Sequence, residues 1–303
     1  MSRITNNIMI NNFRKNYQDI NKKLNDYMNK LSSGEKFSKI SEAPLDGAKA
    51  LKLESNIKFN EKYNANAESG IDWLSTTDES LSDVVTTLRR VRDLAVKGAN
   101  ESMTANDRRK IKEEIDQIRG HLIQVGNSTH DDRYIFNGTK TKTKPYQDGA
   151  TDVPNDYKID TSTANLKREV SQGVNVNINV TGSEVGNGGF SQIFADLKEL
   201  SDAMYNGGAT DTAGIEQSIA KIDNHIEDTL QSRAKVGARQ NRLELTQNKL
   251  EAQKIGYTDI LSKTKDTDVA EMIMKLKNQE NVYRAALSTG ARTIQPSLVD
   301  FLK

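Results

Sequence analysis

Few residues of this 303-residue chain have the types and spacing that catalysis or metal binding requires. Its histidines are His121, His130 and His225, and none has a second histidine at the i+3 to i+5 spacing of a helical metal site. His130 with Asp131 and Asp132 could form half of a metal site, but a solvated turn at a helix end is the better interpretation. No metal, cofactor or small-molecule ligand is expected.

Two further patterns could suggest chemistry and are better explained without it. The glycines of residues 186–189 lack the lysine and the serine or threonine of a phosphate-binding loop, so we interpret them as a linker. Glu113 and Glu114 fall on a polar helix face, where solvated charges are the simpler interpretation than acid–base catalysis. The absence of cysteine excludes disulfides and thiolate catalysis. The sequence therefore predicts no enzyme.

Composition narrows the possible partners. Lysine and arginine number 43 and aspartate and glutamate 42, which argues against nucleic acid or an anionic membrane as the main partner. The hydrophobic fraction of 35% suits an elongated, helix-rich body better than one compact globule. No apolar run reaches the roughly 18 residues of a membrane span. The first residues lack the features of a general secretory signal, so no cleaved signal peptide is expected.

The N-terminal segment carries an apolar stripe at helical spacing. Large apolar residues recur in an unbroken 3,4 alternation over three heptads, which predicts a helix with one apolar face. Gly34 follows as a helix stop, and residues 41–47 are typical of a turn. The stripe consists of Ile10, Phe13, Tyr17, Ile20, Leu24, Tyr27 and Leu31.

Helical spacing continues beyond this turn. Helices are predicted over about residues 48–67 and 71–97, the second ending at Gly98. Thr104 is a candidate N-cap for another helix, because Asp107 follows three residues later and apolar residues recur from Ile111 to Val125.

The middle of the chain changes character between about residues 132 and 184. There the apolar period becomes two, most clearly from Val174 to Val180, which predicts strands and hairpins. Helical spacing returns from Phe190 to Met204, so we expect a small α+β region.

After a glycine-containing link at residues 207–214, helical sequence continues without a proline to about Leu287. Its apolar stripe starts at Ile215, Ile219, Ile222, Ile226 and Leu230, and Gln240, Gln247 and Lys254 interrupt it later, which favours packing against several helices. Pro296 is expected to end the last helix. The final segment is predicted to place on one face Val269, Ile273, Leu276, Tyr283 and Leu287.

The two ends of the chain need partners for their apolar stripes. A single helix of about 25 residues is marginal in water unless its apolar face is buried. Burial of the N-terminal stripe could contribute roughly 10 to 20 kcal/mol before ordering entropy is subtracted. The simplest arrangement pairs the ends with each other and with neighbouring copies. The stripes alone leave open a second interpretation, in which they are core faces of a self-contained bundle.

Short motifs near both ends resemble the flagellin superfamily. They occur in the order and at the distances from the termini that are typical of these proteins, at residues 3–7, 31–34, 94–100, 107–109, 114–115 and 236–244. Two further stretches, residues 134–146 and 285–302, are similar to the hook-associated protein 3 branch and differ from the usual flagellin pattern. Residues 142–208 show no clear resemblance.

The resemblance implies a mainly α fold: an elongated antiparallel bundle of long helices formed by both termini, with a small α+β or β-rich middle domain inserted. The implied domains are an inner terminal-helix domain (1–43 and 262–303), a helical core domain (44–135 and 209–261) and a variable outer domain (136–208). The residues of the two terminal stripes would then carry subunit assembly.

The resemblance also implies a function. The chain would form the junction ring between hook and filament by self-association, next to hook-associated protein 1 and flagellin, after export by the flagellar type III apparatus. An export chaperone would bind the final stripe, from Val269 to Leu287. A short flagellin filament subunit and a secreted coiled-coil effector stay open as alternatives.

Overall fold

A computed structural model describes residues 2–100, 102–149, 154–206 and 213–294 of the protein. Over these residues the chain is mainly helical, and its middle region contains two short antiparallel hairpins, so the predicted fold class is confirmed. The helices are α1 (Ser2–Ser33), α2 (Pro44–Gly98), α3 (Ala105–Gly126), α4 (Phe190–Asn206), α5 (Ala213–Lys265) and α6 (Val269–Ile294). The strands are β1 (Thr129–His130), β2 (Arg133–Tyr134), β3 (Lys167–Ser171) and β4 (Val174–Asn177), with a 3₁₀ turn at Pro154–Tyr157.

The chain divides into two compact units. The terminal unit comprises residues 1–59 and 253–303, and the central unit comprises residues 60–252. Within the central unit one continuous hydrophobic cluster joins side chains of α2, α3 and α5 with those of residues 135–204. The division into three domains at residues 43, 135, 208 and 261 stays a prediction.

The two helices predicted around residues 48–67 and 71–97 are one helix, α2, and the predicted interruption at residues 68–70 is wrong. Gly70 serves packing instead. A Cβ at this position would lie 3.0 Å from Cγ2 of Ile178 and 3.0 Å from Cδ1 of Leu243. The missing side chain lets other elements of the central unit approach the α2 backbone closely, which offsets the helix-weakening effect of glycine.

The predicted N-cap of α3 is confirmed. The hydroxyl of Thr104 accepts a hydrogen bond from the backbone N–H of Asp107 at 3.2 Å. Arg108, in the first turn of α3, is 1% exposed, and its Nε donates to the carbonyl of Gly98 at 3.0 Å. A buried guanidinium therefore satisfies a carbonyl that the end of α2 leaves open.

Helix α4 buries its predicted apolar stripe in the core of the central unit. All six apolar residues of its predicted stripe are at most 1% exposed, and their rings and chains meet the middle region. Phe136 and Phe190 make an edge contact with ring centroids 4.8 Å apart. The stripe consists of Phe190, Ile193, Phe194, Leu197, Leu200 and Met204.

Helix α5 buries part of its predicted stripe: Ile215 and Ile222 are buried, and Ile219 and Ile226 are half-buried against the same core. The buried positions follow a regular 3,4 spacing, but four of the seven up to residue 236 are polar, and the predicted Leu230 is 39% exposed. Small hydroxyl groups and one imidazole replace aliphatic side chains because they bond to carbonyls and to α4. The buried positions up to residue 236 are Ile215, Ser218, Ile222, His225, Thr229, Ser232 and Val236.

The hairpins differ in part from the predicted strands. Strand β1 pairs with β2 through a two-residue turn in which Asp131 and Asp132 have φ of 49° and 59°. The solvated turn predicted at these residues is present, but it lies in a hairpin and not at a helix end, and both aspartates adopt the left-handed conformation of a tight hairpin turn. The hairpin of β3 and β4 confirms the period-two prediction. Ile178 lies one residue beyond the end of β4, where it is buried and its backbone N–H donates to the carbonyl of Leu166 at 3.0 Å.

Helical structure is interrupted between α5 and α6, where the sequence predicted continuity. Asp268 caps α6, since its Oδ1 accepts from the backbone N–H groups of Ala270 and Glu271 at 2.9 and 3.1 Å. The interruption also pairs with the α1–α2 connection: the N–H of Thr267 donates to the carbonyl of Gly34 at 2.8 Å. The predicted helix end at Pro296, the motif at residues 295–302 and the link at residues 207–212 lie outside the described residues.

Candidate assembly surface on the terminal helices

Helices α1 and α6 pack against each other in antiparallel orientation within the terminal unit. Phe13 lies beside Gly290, and the hydroxyls of Tyr17 and Tyr283 are 3.0 Å apart. Pairing of the chain ends, which the matching stripes suggested, is therefore present in a single subunit.

The α1 stripe faces this contact. Six of its seven residues, Phe13, Tyr17, Ile20, Leu24, Tyr27 and Leu31, are half-buried, whereas Ile10 is 38% exposed. Within a single subunit the contact therefore covers the stripe only in part. Assembly through these residues stays a prediction.

The packed face of α6 is offset from the predicted one. Leu276 and Tyr283 lie on it, but Val269, Ile273 and Leu287 are 52%, 43% and 44% exposed. The packed face instead follows a strict 4,3 spacing. It consists of Met272, Leu276, Gln279, Tyr283, Ala286 and Gly290.

Sequence reasoning missed Met272, Gln279, Ala286 and Gly290 because three of them are polar or small. The ring of Phe13 fills the space that a side chain at residue 290 would need, because a Cβ on Gly290 would overlap the ring. This contact buries Gly290. Gln279 donates from Nε2 to the carbonyl of Ile20 at 3.3 Å. A heptad search that allowed alanine, glycine and one polar residue at the seam positions would have found this face.

An exposed apolar stripe therefore remains on α6 beside the packed face. We call Val269, Ile273 and Leu287 the outer stripe. On a helical wheel these residues fall within about 40° of one another, next to Leu276 on the packed face. The apolar arc of α6 is therefore wider than a single neighbouring helix covers.

The connection between α1 and α2 is hydrogen-bonded to the connection between α5 and α6. In addition to the bond from Thr267, the N–H of Lys36 donates to the carbonyl of Lys265 at 2.7 Å. The ammonium of Lys265 lies 3.0 Å from Glu35 and 3.1 Å from Glu54, and hydrogen bonds to these two carboxylates raise its pKa. These contacts hold the end of α1 and the start of α6 at adjacent points.

The hydrogen bond couples the two tyrosine hydroxyls. The hydrogen bond with Tyr283, and secondly one with Asn21, lowers the pKa of Tyr17. The same contact with Tyr17 raises the pKa of Tyr283.

One buried acid–imidazole pair in the central unit has the arrangement of a catalytic dyad. Nε2 of His225 lies 2.7 Å from Oδ2 of Asp196, and both side chains are buried. Nδ1, which a general base would need free, accepts the backbone N–H of Asn187 at 3.0 Å. The imidazole therefore holds the glycine loop of residues 186–189 and is closed to a substrate.

The loop itself is shaped by that contact. Gly186, Gly188 and Gly189 have φ of 65°, 82° and 90°, and a Cβ on Gly186 would lie 3.0 Å from Nδ1 of His225. The linker interpretation therefore missed its structural role. Within the described ranges, no three histidine, aspartate or glutamate side chains are grouped so that they could hold a metal ion. None of the helices described here is long and apolar enough to cross a membrane.

The paired terminal helices and the helical core define a structural protein whose ends are built for helix packing. The chain belongs to the flagellin family: the model of the bacterial flagellin N-terminal helical region matches residues 4–141, and that of the C-terminal helical region matches residues 219–302. It is a structural protein of the bacterial flagellum and not an enzyme. Residues 142–218 lie outside both matches.

The similar proteins include both flagellins and hook-associated proteins. The chain is 28% identical to a flagellin of Bacillus subtilis over 285 residues, which covers 88% of each chain. It is 23% identical to flagellar hook-associated protein 3 of Escherichia coli over 277 residues, covering 86% of this chain and 87% of that one. Its fold is similar to that of a flagellar hook-associated protein from Vibrio parahaemolyticus, with a TM-score of 0.67 and 22% identity, covering 74% of this chain and all of the other.

Proposed function

We propose that this protein is the junction subunit between hook and filament, and that it assembles into a ring through its terminal helices. The observation that supports assembly is the outer stripe of α6, three large apolar residues that the chain's own contacts leave exposed. Exposed apolar area of this kind is costly in water and is typical of an interaction surface. The stripe lies beside the packed face of α6, so a neighbouring copy would extend the existing helix packing.

The choice of the junction over the filament rests on two lines of support. Residues 134–146 and 285–302 are similar to the hook-associated protein 3 branch in sequence, and the fold is similar to a hook-associated protein. In this position the subunit would contact hook-associated protein 1 on one side and flagellin on the other.

A deletion strain tests the junction role. We expect cells without this protein to be non-motile, to carry hooks without filaments, and to shed flagellin into the medium. Electron microscopy of the hooks and an immunoblot of the medium measure both effects. Normal filaments on the deletion strain would contradict the proposal.

The second candidate is a filament subunit, which the 28% identity to a flagellin favours. Purified protein would then polymerise alone into long filaments visible by negative staining, and the deletion strain would retain the other junction components on its hooks. A secreted effector unrelated to motility would leave swimming unchanged.

The subunit must leave the cell before it can assemble at the hook. The subunit would leave the cell largely unfolded through the flagellar type III channel and reach an extracellular position on the flagellum. An export chaperone would hold α6 beforehand, because a segment with an apolar face needs cover until assembly. Deletion of residues 269–303 should abolish chaperone binding.

A sharper version of this experiment uses the outer stripe. Changing Val269, Ile273 and Leu287 to serine removes the exposed stripe and leaves the packed face intact. The control changes Met274 and Val282 to serine, two exposed residues on other sides of α6. Weaker chaperone binding for the triple variant alone would support the proposal, and equal binding by both would contradict it.

Leu24→Asp tests the assembly surface directly. Leu24 is half-buried in the α1 stripe, and an unpaired carboxylate in a closed subunit contact costs several kcal/mol or more. We expect normal secretion but no assembly. Asn25→Asp adds the same charge at the exposed neighbouring position and should swim normally. Normal motility of Leu24→Asp would rule out this face as the assembly surface.

A further inference from the structure

Two tyrosines meet at the centre of the terminal helix pair. The phenolic oxygens of Tyr17 on α1 and Tyr283 on α6 are 3.0 Å apart, and their ring centroids are separated by 5.6 Å at an interplanar angle of 31°. Contacts lie on both sides of this pair, with Phe13 at Gly290 toward one end and Gln279 at Ile20 toward the other. Residues that are 266 positions apart in sequence are thus held in a fixed register.

This geometry favours one kind of covalent chemistry. Two phenols in contact can couple when each loses one electron, because the resulting phenoxyl radicals carry spin density at the ring carbons next to the oxygen. A shared hydrogen bond promotes the first oxidation, since the proton has an acceptor at hand. The lowered pKa of Tyr17 acts in the same direction by favouring loss of its proton. The chain has no cysteine, so disulfide chemistry cannot join its ends.

We propose that Tyr17 and Tyr283 form a site of oxidative coupling, at which a one-electron oxidant of the peroxidase type joins α1 to α6 through a dityrosine bond. The ortho carbons that would bond lie next to phenolic oxygens that are 3.0 Å apart. Both are half-buried on helix surfaces and are not fixed in a closed core.

The coupling begins with oxidation of both phenols. Each tyrosine gives up one electron and its phenolic proton, and a carbon–carbon bond then forms between the two ortho positions. Each of these carbons releases its hydrogen as a proton, and the two phenolic oxygens are protonated again. The net loss is two electrons and two protons, which one hydrogen peroxide accepts to become two water molecules.

The consequence is a covalent lock on the chain ends. The bond would keep α6 on α1 in the observed register, with the outer stripe of α6 free for a neighbouring copy. This inference rests on the paired terminal helices and does not depend on the junction role, so it can fail or hold independently of the assembly experiments.

The experiment treats the purified full-length protein, at low concentration, with a peroxidase and hydrogen peroxide. Proteolysis and mass spectrometry identify the joined peptides, and dityrosine fluorescence gives the yield per chain. We expect a monomeric product with Tyr17 joined to Tyr283 and a mass lower by two hydrogen atoms. Tyr17→Phe and Tyr283→Phe should each lower the intramolecular yield by about tenfold or more, because proximity drives the coupling.

Tyr27→Phe is the matched control, since Tyr27 is also half-buried on the same face of α1. It should leave the yield unchanged, and 8 M urea should abolish the selectivity in the unaltered chain. Circular dichroism verifies that the phenylalanine variants are folded, which is expected because they keep the ring. Equal yields from all variants, a product joined at other tyrosines, or oxidation without a Tyr17–Tyr283 bond would each overturn the proposal.

Discussion

At the scale of single residues, the buried polar groups carry more structural information than the apolar ones. Asp196 is 6% exposed and accepts hydrogen bonds from His225 and from Gln192, whose Nε2 lies 3.1 Å from Oδ1. Lys221 lies 3.4 Å from the same oxygen. A buried carboxylate is stable only with such partners, so this group joins α4, α5 and the glycine loop.

The pH dependence of stability should report on Asp196. Burial opposes its ionisation, but the hydrogen bonds from His225 and Gln192 and the charge of Lys221 outweigh that effect, so its pKa is lowered. A lowered pKa in the folded state means that the stabilisation is present above the unfolded-state pKa, about 3.9, and is lost as the pH falls through the folded-state value. The free energy of unfolding should therefore fall below about pH 4.

Asp196→Asn provides the comparison. At neutral pH it should lower the free energy of unfolding by roughly 1.5 to 3 kcal/mol, the usual range for hydrogen bonds to a charged group, and make the acid dependence shallower. Asp93→Asn, at an exposed position of α2, should leave the pH curve unchanged. Urea unfolding between pH 3 and pH 7 measures both, and parallel curves for Asp196→Asn and the unaltered protein would contradict the assignment.

Gly290→Ala tests the hole that receives Phe13. The new methyl group would overlap the ring, so the expected loss is about 1 to 3 kcal/mol, typical of overpacking and larger than the gain in helix propensity. Hydrogen exchange of α1 and α6 should accelerate. Gly256→Ala has open space around its Cβ and should instead slow exchange slightly. Adding Phe13→Leu to Gly290→Ala should restore part of the protection, and no change in exchange would argue against the contact.

At the scale of elements, the long helices are maintained by what packs on them and not by propensity alone. Helix α2 continues through Gly70 because Ile178 and Leu243 occupy the space a side chain would need. Helical structure stops after Lys265, although no proline or glycine is present there, because Asp268 caps the next helix and the connection pairs with residues 34–36.

Gly70→Val should therefore destabilise the central unit. The added carbons would enter the contact with Ile178 and Leu243, at an expected cost of about 1 to 3 kcal/mol in the free energy of unfolding. Gly237→Val is the control, since a Cβ there meets nothing within 4 Å, and its effect should stay within about 0.5 kcal/mol. Chemical denaturation measures both changes, and equal effects would show that helix propensity, not packing, governs Gly70.

At the scale of the whole molecule, burial is distributed unequally between the two units. Among the described apolar residues of the terminal unit, those classed as buried are Phe37, Ala50, Leu53 and Met272, whereas the central unit contains a continuous cluster from α2 through α5. Fewer buried contacts mean a lower free energy for local opening.

Hydrogen exchange should show this difference directly. We expect amides of α1 and α6 to exchange faster than those of α4 by at least about a hundredfold, a difference of roughly 3 kcal/mol in opening free energy. On assembly with neighbouring copies, protection of α1 and α6 should rise while α4 stays unchanged. Similar protection of α4 and the terminal helices in the free subunit would contradict this prediction.

Local features were predicted from the sequence, whereas individual contacts between distant residues were not. Thr104 and the α4 stripe were predicted correctly because capping and helical period are local properties. From the sequence, residues of the outer stripe and of the packed face of α6 were placed on a single face. Hydrophobicity alone does not show which side of a wide apolar arc meets α1. His225 could not be predicted as a core residue, since its partners Asp196 and Asn187 are 29 and 38 positions away.

The sequence by itself determined the helical character, the apolar ends, the hairpin period of the middle region and, through its motifs, the family. These properties depend on residue types and on short spacings along the chain, which do not change with the tertiary structure. Only the tertiary structure decided the register of α1 on α6, the tyrosine contact and the exposed outer stripe. Such features depend on which distant residues meet, because a glycine becomes a hole and a tyrosine a partner only when another helix lies against it.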